Sequence, residues 1–450
     1  KGLNKLELEQ EYKLVKDKII CPKNVRTMKF FMDALPMAGT EGAVSLLTTL
    51  INTKQVDGIL AISWLTSLTL IQKPTSSIVE DGLKLLQGPL SSDALLPVSA
   101  VVNKYCQTVS SCESDHVVRQ VVNVLRSKVP KSCSVDEKNL KDVLLTLRAI
   151  GNIGQSLLTS TLDTCISSST TPLEVKVAAA DAYRRMPCDN SFSQKDSAVW
   201  TVLQDPSQDS ELRITSYLSV MRCPDDNTLS EISQLLDKET DDDLGGFIYS
   251  HIKNLKDTSD PLKQDIVKAI NKYTFKEFEL NLLKYSSNHE ASVLINRLNL
   301  GFTADSNIIM GSKSPLPRSA MLNLTVDLFG NSVNLLEIGG RVEGLEILVE
   351  KLLGPTGYLP VKIEKGKLDD VKASVYARVF GNELFYEHLK GTQSLHGPAK
   401  MPNLLDILIS IANRQAVAYT YSEQLLDVAL TVPTIAGLPL EITVNGSVNL

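Results

Sequence analysis

Glu174-Val175-Lys176-Val177-Ala178-Ala179-Ala180-Asp181-Ala182-Tyr183-Arg184-Arg185-Met186-Pro187-Cys188 returns, 37 residues on, as Glu211-Leu212-Arg213-Ile214-Thr215-Ser216-Tyr217-Leu218-Ser219-Val220-Met221-Arg222-Cys223-Pro224. A fainter copy, Leu144-Leu145-Thr146-Leu147-Arg148-Ala149-Ile150-Gly151-Asn152, precedes both. A period in the high thirties holds two antiparallel helices and two turns, the unit of an α-solenoid. Ala178, Ala179, Ala182, Ser216 and Ser219 are small enough to let neighbouring helices approach closely. One helix pair cannot bury its own apolar stripe, so the copies stack into a curved shell.

Outward from this repeat, residues 10 to 285 keep a helical pattern. Phe30, Phe31 and Leu35, then Val44, Leu46, Leu47, Leu50 and Ile51, form i, i+3, i+4 stripes interrupted at Pro36 and Gly39. Pro74, Pro97, Pro130, Pro172, Pro187, Pro206, Pro224 and Pro261 punctuate the run at turns between helices. Thr171-Pro172 and Asp260-Pro261 read as helix starts, a capping side chain followed by proline; Asp93 and Asp209 are weaker candidates. The acidic run Asp241-Asp242-Asp243 reads as a solvated loop. Gly58 to Gln72 is uncharged and apolar but too short to span a bilayer, so it reads as a buried solenoid helix.

Beyond about residue 290 the period changes from 3.6 to 2. Leu322, Leu324, Val326 and Leu328 alternate with Asn323, Thr325 and Asp327. Gly330-Asn331 reads as a hairpin turn, and a second alternating run, Val371, Ala373, Val375, Ala377 and Val379, ends at a turn placed on Gly381-Asn382. Helices are expected at Gly344 to Leu353 and about Asn403 to Arg414. The fold class is therefore α+β, an α-solenoid followed by an antiparallel β-sheet. Its expected divisions are residues 1–287 (helical superhelix), 288–430 (sheet) and 431–450 (the start of a further β-sheet domain). The sheet's apolar face must be covered, either by another sheet or by lipid.

Composition limits the chemistry. The chain is 450 residues long, 43% hydrophobic, with a net charge of −6 and no Lys/Arg-rich stripe, which argues against a nucleic-acid partner. It contains no Gly-x-Ser-x-Gly elbow, no His-Glu-x-x-His pair and no phosphate-cradling Gly-rich loop with its lysine. His116, His251, His289, His388 and His396 are scattered, none paired at metal spacing. No catalytic residue, metal or cofactor is expected.

Cys106 and Cys112 bracket a loop short enough for a local disulfide. Cys133, Cys165, Cys188 and Cys223 fall at helix ends with their pairing open, and Cys21 stands alone; seven reduced thiols are the competing possibility. Two sequons, Asn323-Leu324-Thr325 and Asn445-Gly446-Ser447, favour an oxidising, secreted setting with glycans on Asn323 and Asn445. Asn323 lies on the polar side of its strand, so a glycan there would point away from the apolar face. The absence of a leader before Lys1 and the unfinished hairpin at the end read as cuts from a longer chain.

Several phrases resemble one family. Phe30-Phe31-Met32-Asp33-Ala34-Leu35-Pro36-Met37-Ala38-Gly39-Thr40-Glu41 and the two repeat endings, Arg185-Met186-Pro187-Cys188 and Met221-Arg222-Cys223-Pro224, are similar to the helical domain shared by vitellogenins, microsomal triglyceride transfer protein, apolipoprotein B and insect apolipophorins. Leu316 to Gly330, with Glu337-Ile338-Gly339-Gly340-Arg341-Val342-Glu343, resembles apolipophorin most closely, and Val432 to Glu441 is similar to the family's entry into its next sheet. The resemblance implies a helical shell, one sheet of a lipid cavity, and a β-barrel upstream. It also implies a Cys106–Cys112 disulfide. It implies extracellular lipid transport, with diacylglycerol and phospholipid as cargo. The implied partners are the rest of the precursor or a second apolipoprotein subunit, and a lipoprotein receptor. Missing polyserine tracts favour the lipoprotein branch over vitellogenin-type yolk storage. A lipid-free HEAT-like interaction scaffold and a clotting role compete with both. Lipid needs contiguous apolar area at about 25 cal/mol per Å². The expected lining is Leu322, Leu324, Val326, Leu328, Val371, Val375 and Val379.

Overall fold

The computed structural model describes residues 3–20, 26–188, 197–258, 260, 263–281, 284–295, 297, 300–311, 314–328, 331–344, 371–390, 422–433 and 439–449. Among them, fifteen α-helices run from Lys5 to Ile270, and eight strands follow. The helices stack as the repeat demands. One core runs through the stack, with Trp64, Tyr183, Tyr217 and Phe247 among its largest fully buried side chains.

The repeated phrase also supplies staples between successive units. Arg184 Nη2 donates to the Arg148 carbonyl at 3.1 Å and Arg222 Nη1 to the Met186 carbonyl at 3.1 Å, each reaching back 36 residues. Ser219 Oγ donates to the Ala180 carbonyl at 2.8 Å, and Thr171 Oγ1 to the Cys133 carbonyl at 2.8 Å. Disulfides Cys133–Cys165 and Cys188–Cys223 span 32 and 35 residues, so they too join one unit to the next. Cys106–Cys112 closes the local loop. Cys21 and both helices expected inside the sheet region lie outside the described residues.

Several local expectations are corrected. Pro36 sits inside the helix Thr27–Ala38, which ends at Gly39, whose φ of 60° suits a residue without Cβ. Thr171 does not cap the helix Leu173–Asp181; its hydroxyl is committed to Cys133, and Pro172 takes the N-cap position. Ala94, not Asp93, occupies the N-cap position of the helix Leu95–Thr108, whereas Asp209 does cap Ser210–Val220 by accepting from the Glu211 N–H. The acidic run is no loop. Asp241 accepts from the Asp243 N–H and starts the helix Asp242–Asp257, where the carboxylates favour the positive end of the helix dipole. The apolar helix Gly58–Ser67 buries Ala61, Trp64 and Leu65 but leaves Ile59, Leu60 and Ile62 exposed.

The six-stranded sheet is a simple antiparallel meander, β1 (Ser287–Ile295), β2 (Leu300–Gly311), β3 (Ser314–Leu328), β4 (Asn331–Glu343), β5 (Lys372–Val379) and β6 (Asn382–Lys390), paired in that order. The β5–β6 turn centres on Phe380-Gly381, one residue earlier than expected, with φ of 50° and 71°. Two left-handed central residues give the twist that a two-residue hairpin needs. A separate hairpin of β7 (Ser422–Pro433) and β8 (Pro439–Asn449) carries Asn445.

Candidate functional site: the two faces of the sheet

Register decides which side chains share a face. Leu322 pairs with Ser306 and Ile338, Ile338 with Ala377, and Ala377 with Phe385. Val326 pairs with Phe302, and Phe302 with Val293. Six of the seven expected lining residues have this parity; Val371 precedes β5 and lies outside the paired register. Val293 (65% exposed), Phe302 (45%), Leu322 (41%), Ile338 (44%), Val375 (43%) and Phe385 (45%) make this an open apolar face across all six strands. Leu324, Val326, Leu328 and Val379 are half-buried, and Val371, just before β5, is buried.

The opposite face is charged, and it is the one turned to the helices. A single row crosses every strand: Glu290, Asp305, Asn323, Glu337, Arg378 and Glu383 are successive pairing partners. Asn323 sits mid-row, half-buried, its side-chain oxygen accepting from Asn334. The sequon therefore points away from the apolar face, as expected, but towards the solenoid. The alternation in the sequence placed Asn323 on the polar side without showing what that side faces.

The two glutamates that marked the repeat now acquire a role. Glu174 accepts from Lys372 Nζ at 2.7 Å and lies 3.2 Å from His388 Nε2. Glu211, one repeat further, accepts from Arg341 Nε at 2.9 Å and Nη2 at 3.0 Å, with Arg318 Nη1 at 3.5 Å. Equivalent positions in successive solenoid units thus grip β5–β6 and β3–β4 respectively. Asp181, from the same phrase, accepts from Arg378 Nη2 at 2.5 Å and Arg148 Nη1 at 2.9 Å. Asn152, the end of the fainter copy, exchanges two bonds with the Glu383 backbone, at 2.8 and 2.9 Å. The repeat spacing was the available signal for these residues. A buried acid recurring at one phase of an apolar helix needs a partner.

Electrostatics agree with the geometry. Burial alone would raise the Glu174 carboxyl, but the His388 and Lys372 hydrogen bonds hold it down at about 2. Burial opposes the charge on Asp181 likewise, and Arg378 and Arg148 pull its carboxyl below the usual range. Burial disfavours the Arg341 cation, while Glu211 more than restores it. Tyr376 lies between two guanidiniums, 4.5 Å from Arg378 and 4.9 Å from Arg148, with Gly339 leaving the room its ring fills. Farther along, a cavity of about 280 Å³ remains between the layers, bordered by Val177, Leu218 and Arg222 on one side and Asp305, Ile309 and Met321 on the other. Asp305 has an amide partner, Asn288, at 2.7 Å, and burial raises its carboxyl to about 6.

A helical shell clasping a sheet by its polar side, with the apolar side partly exposed among the described residues, defines a particular architecture. The family model described as the vitellogenin TPR domain matches residues 2–253, and the one described as vitellinogen, open beta-sheet, matches residues 284–449. The chain belongs to the vitellogenin-domain family. It is 28% identical to the apolipophorins of Locusta migratoria over 93% of its length, 28% to the vitellogenin of Penaeus merguiensis over 75%, and 28% to human apolipoprotein B-100 over 66%. It spans 14%, 13% and 7% of those proteins respectively. A solved structure described as lipid–protein interactions in lipovitellin superimposes with a TM-score of 0.71 at 21% identity, covering 99% of this chain and 45% of that one. The fold is the lipovitellin fold.

Proposed function

We propose that this chain is the lipid-facing wall of an extracellular lipid-transport protein. The observation that carries the proposal is the bare apolar face. Six exposed aliphatic and aromatic side chains, one from each strand, lie on it and point away from the helices. Covering each with hydrocarbon contributes about 1 kcal/mol, roughly 6 kcal/mol together. That is enough to hold acyl chains without any covalent step. Leu322, Leu324, Val326, Leu328, Val375 and Val379 lie along the contact, while Val371 is buried just before β5. Diacylglycerol and phospholipid are the proposed cargo, reversibly solubilised, and the chain acts as carrier rather than catalyst. The rest of the precursor or a second apolipoprotein subunit closes the cavity, and a lipoprotein receptor recognises the particle.

The test is lipid analysis of the full-length protein purified from its native fluid, beside variants Leu322→Arg and Val375→Arg. The proposal expects co-purifying glycerolipid, reduced at least severalfold in the double variant while the helical fold is retained. Lipid-free native protein, or unchanged lipid in the variants, refutes it. The 28% identity to a crustacean vitellogenin supports yolk storage as the second reading. Phosphate content of the complete protein separates the two, because stored yolk protein carries phosphoserine and a transport particle does not.

A further inference from the structure

We propose that His289 and Ser306 anchor the uncharged glycerol end of an acylglycerol, its ester and hydroxyl oxygens, at one side of the apolar face. Register brings the two residues together. They are direct pairing partners on β1 and β2, and side chains so placed stand about 5 Å apart at Cβ. Their row continues as Leu322, Ile338, Ala377 and Phe385, one residue from each remaining strand. The rows on either side are apolar or glycine from β2 to β5. On these three rows, from β1 to β5, polar side chains are confined to Ser287, His289 and Ser306. His289 and Ser306 are both half-buried. Ser287 Oγ lies 3.0 Å from His289 Nε2. Among the described residues nothing bonds to the other ring nitrogen or to the Ser306 hydroxyl, so both remain available to a ligand.

Hydrocarbon laid over this face would take water from those two groups and return nothing, and a covered donor or acceptor without a partner is costly. A lipid can meet that need only with the polar atoms of its own head. The head therefore belongs over β1 and β2, with the chains running towards β6. From Ser306 to Phe385 the row crosses four strand spacings, about 19 Å. One leaflet of a bilayer's ~30 Å hydrocarbon core is about 15 Å thick, so this track is long enough for an acyl chain. Leu322, Ile338 and Phe385 are exposed along it. The same three rows carry no lysine, arginine or carboxylate from β1 to β5. A phosphodiester held there would be a charge without counter-charge in poorly hydrated surroundings, which favours esters and hydroxyls over phosphate. Glu290, next to His289 in the chain, lies on the opposite face and accepts from Lys263 Nζ at 2.7 Å. The site rests on the lipid-facing wall proposed above and sets which way round the lipid lies on it.

The experiment uses full-length protein, wild type beside Ser306→Ala, Ser306→Thr and the double variant His289→Leu, Ser306→Ala. Delipidated protein is titrated with radiolabelled dioleoylglycerol, with phosphatidylcholine and with hexadecane, a hydrocarbon that has no head. The readout is the affinity for dioleoylglycerol relative to hexadecane, because damage to the apolar wall lowers both together. Ser306→Ala is expected to lower this ratio about threefold and the double variant about tenfold, with Ser306→Thr within about twofold of wild type. Affinity for phosphatidylcholine relative to hexadecane should stay within about twofold across the series. Should the double variant misfold, Ser306→Ala against Ser306→Thr decides alone, because only the threonine keeps the hydroxyl. An equal dioleoylglycerol ratio in wild type and both alanine-bearing variants overturns the proposal. A phosphatidylcholine loss as large as the dioleoylglycerol loss overturns it too. Wild type that holds no probe refutes the lipid-facing wall, and the anchor with it. Wild type that holds hexadecane without preferring dioleoylglycerol refutes the anchor alone.

Discussion

Replacing Glu211 with glutamine strikes the polar clasp at a deeply enclosed point. Its side chain is 1% exposed, and it takes both nitrogens of one edge of Arg341. The substitution removes the charge while nearly preserving shape, so Arg341 keeps a single carboxylate, Glu343 at 2.8 Å, which is 38% exposed. Breaking a buried pair from one side costs about 3–5 kcal/mol because the remaining charge is stranded. Glu343 and the retained amide oxygen recover part of this, giving an expected cost of about 2–3 kcal/mol. Arg318 is less affected, since Asp209 holds it at 2.8 Å. Hydrogen exchange of the β4 amides is the assay, because it reads local opening of the strand that carries Arg341. Glu343→Gln, on the exposed partner, should cost below about 0.5 kcal/mol. The double variant Glu211→Leu, Arg341→Leu should recover most of the loss, since neither charge is then stranded. A Glu211→Gln effect under about 1 kcal/mol, or equal to that of Glu343→Gln, would show that the clasp is not a buried ionic contact.

Four further outcomes are expected. Asp305 titrates upward, so its charged form opposes folding above pH 6 and the penalty disappears as pH falls below the ordinary 3.8; Asp305→Asn should stabilise the chain by on the order of 2 kcal/mol at pH 7 and by nothing at pH 3.5, measured by denaturation across pH. Glu174 has the opposite sign: its contribution is complete above 4.5 and lost as pH falls towards 2, so Glu174→Gln should destabilise at pH 7 and converge on wild type near pH 2. Gly339→Ala would place a methyl 2.5 Å from the Tyr376 ring and should cost about 1–3 kcal/mol in the same denaturation, whereas Gly340→Ala, with nothing nearer than 3.4 Å, should cost less. Glycopeptide mapping should find Asn323 bare, because its position in the helix-facing row leaves poor access for a bulky glycan; an occupied Asn323 would mean that the sheet stands off the helices at β3.

The helical repeat, the switch to a period of two near residue 290 and the alternation that sets the lining residues of β3 and β5 on one face were all legible in the sequence, because each is a local pattern. Cys106–Cys112 was legible for the same reason. The clasp was not. Glu211 meets Arg341 across 130 residues and Glu174 meets His388 across 214, and neither pair has a local signature. Alternation reports that a strand has two faces; it does not report which one turns inward. The usual inference, apolar side against protein and polar side against water, reverses here for a physical reason. Had the helices been the intended cover for Leu322, Ile338 and Val375, an apolar contact would have sufficed, with no need to desolvate Glu174, Asp181, Glu211, Arg341 and Arg378. Desolvating charges costs several kcal/mol each before pairing compensates, and the net gain over an apolar contact is often nil. An ionic interface on the helix side is what the proposed lipid-facing role of the apolar side requires. The charge ladder on one face and the bare aliphatic face on the other are two consequences of that single requirement.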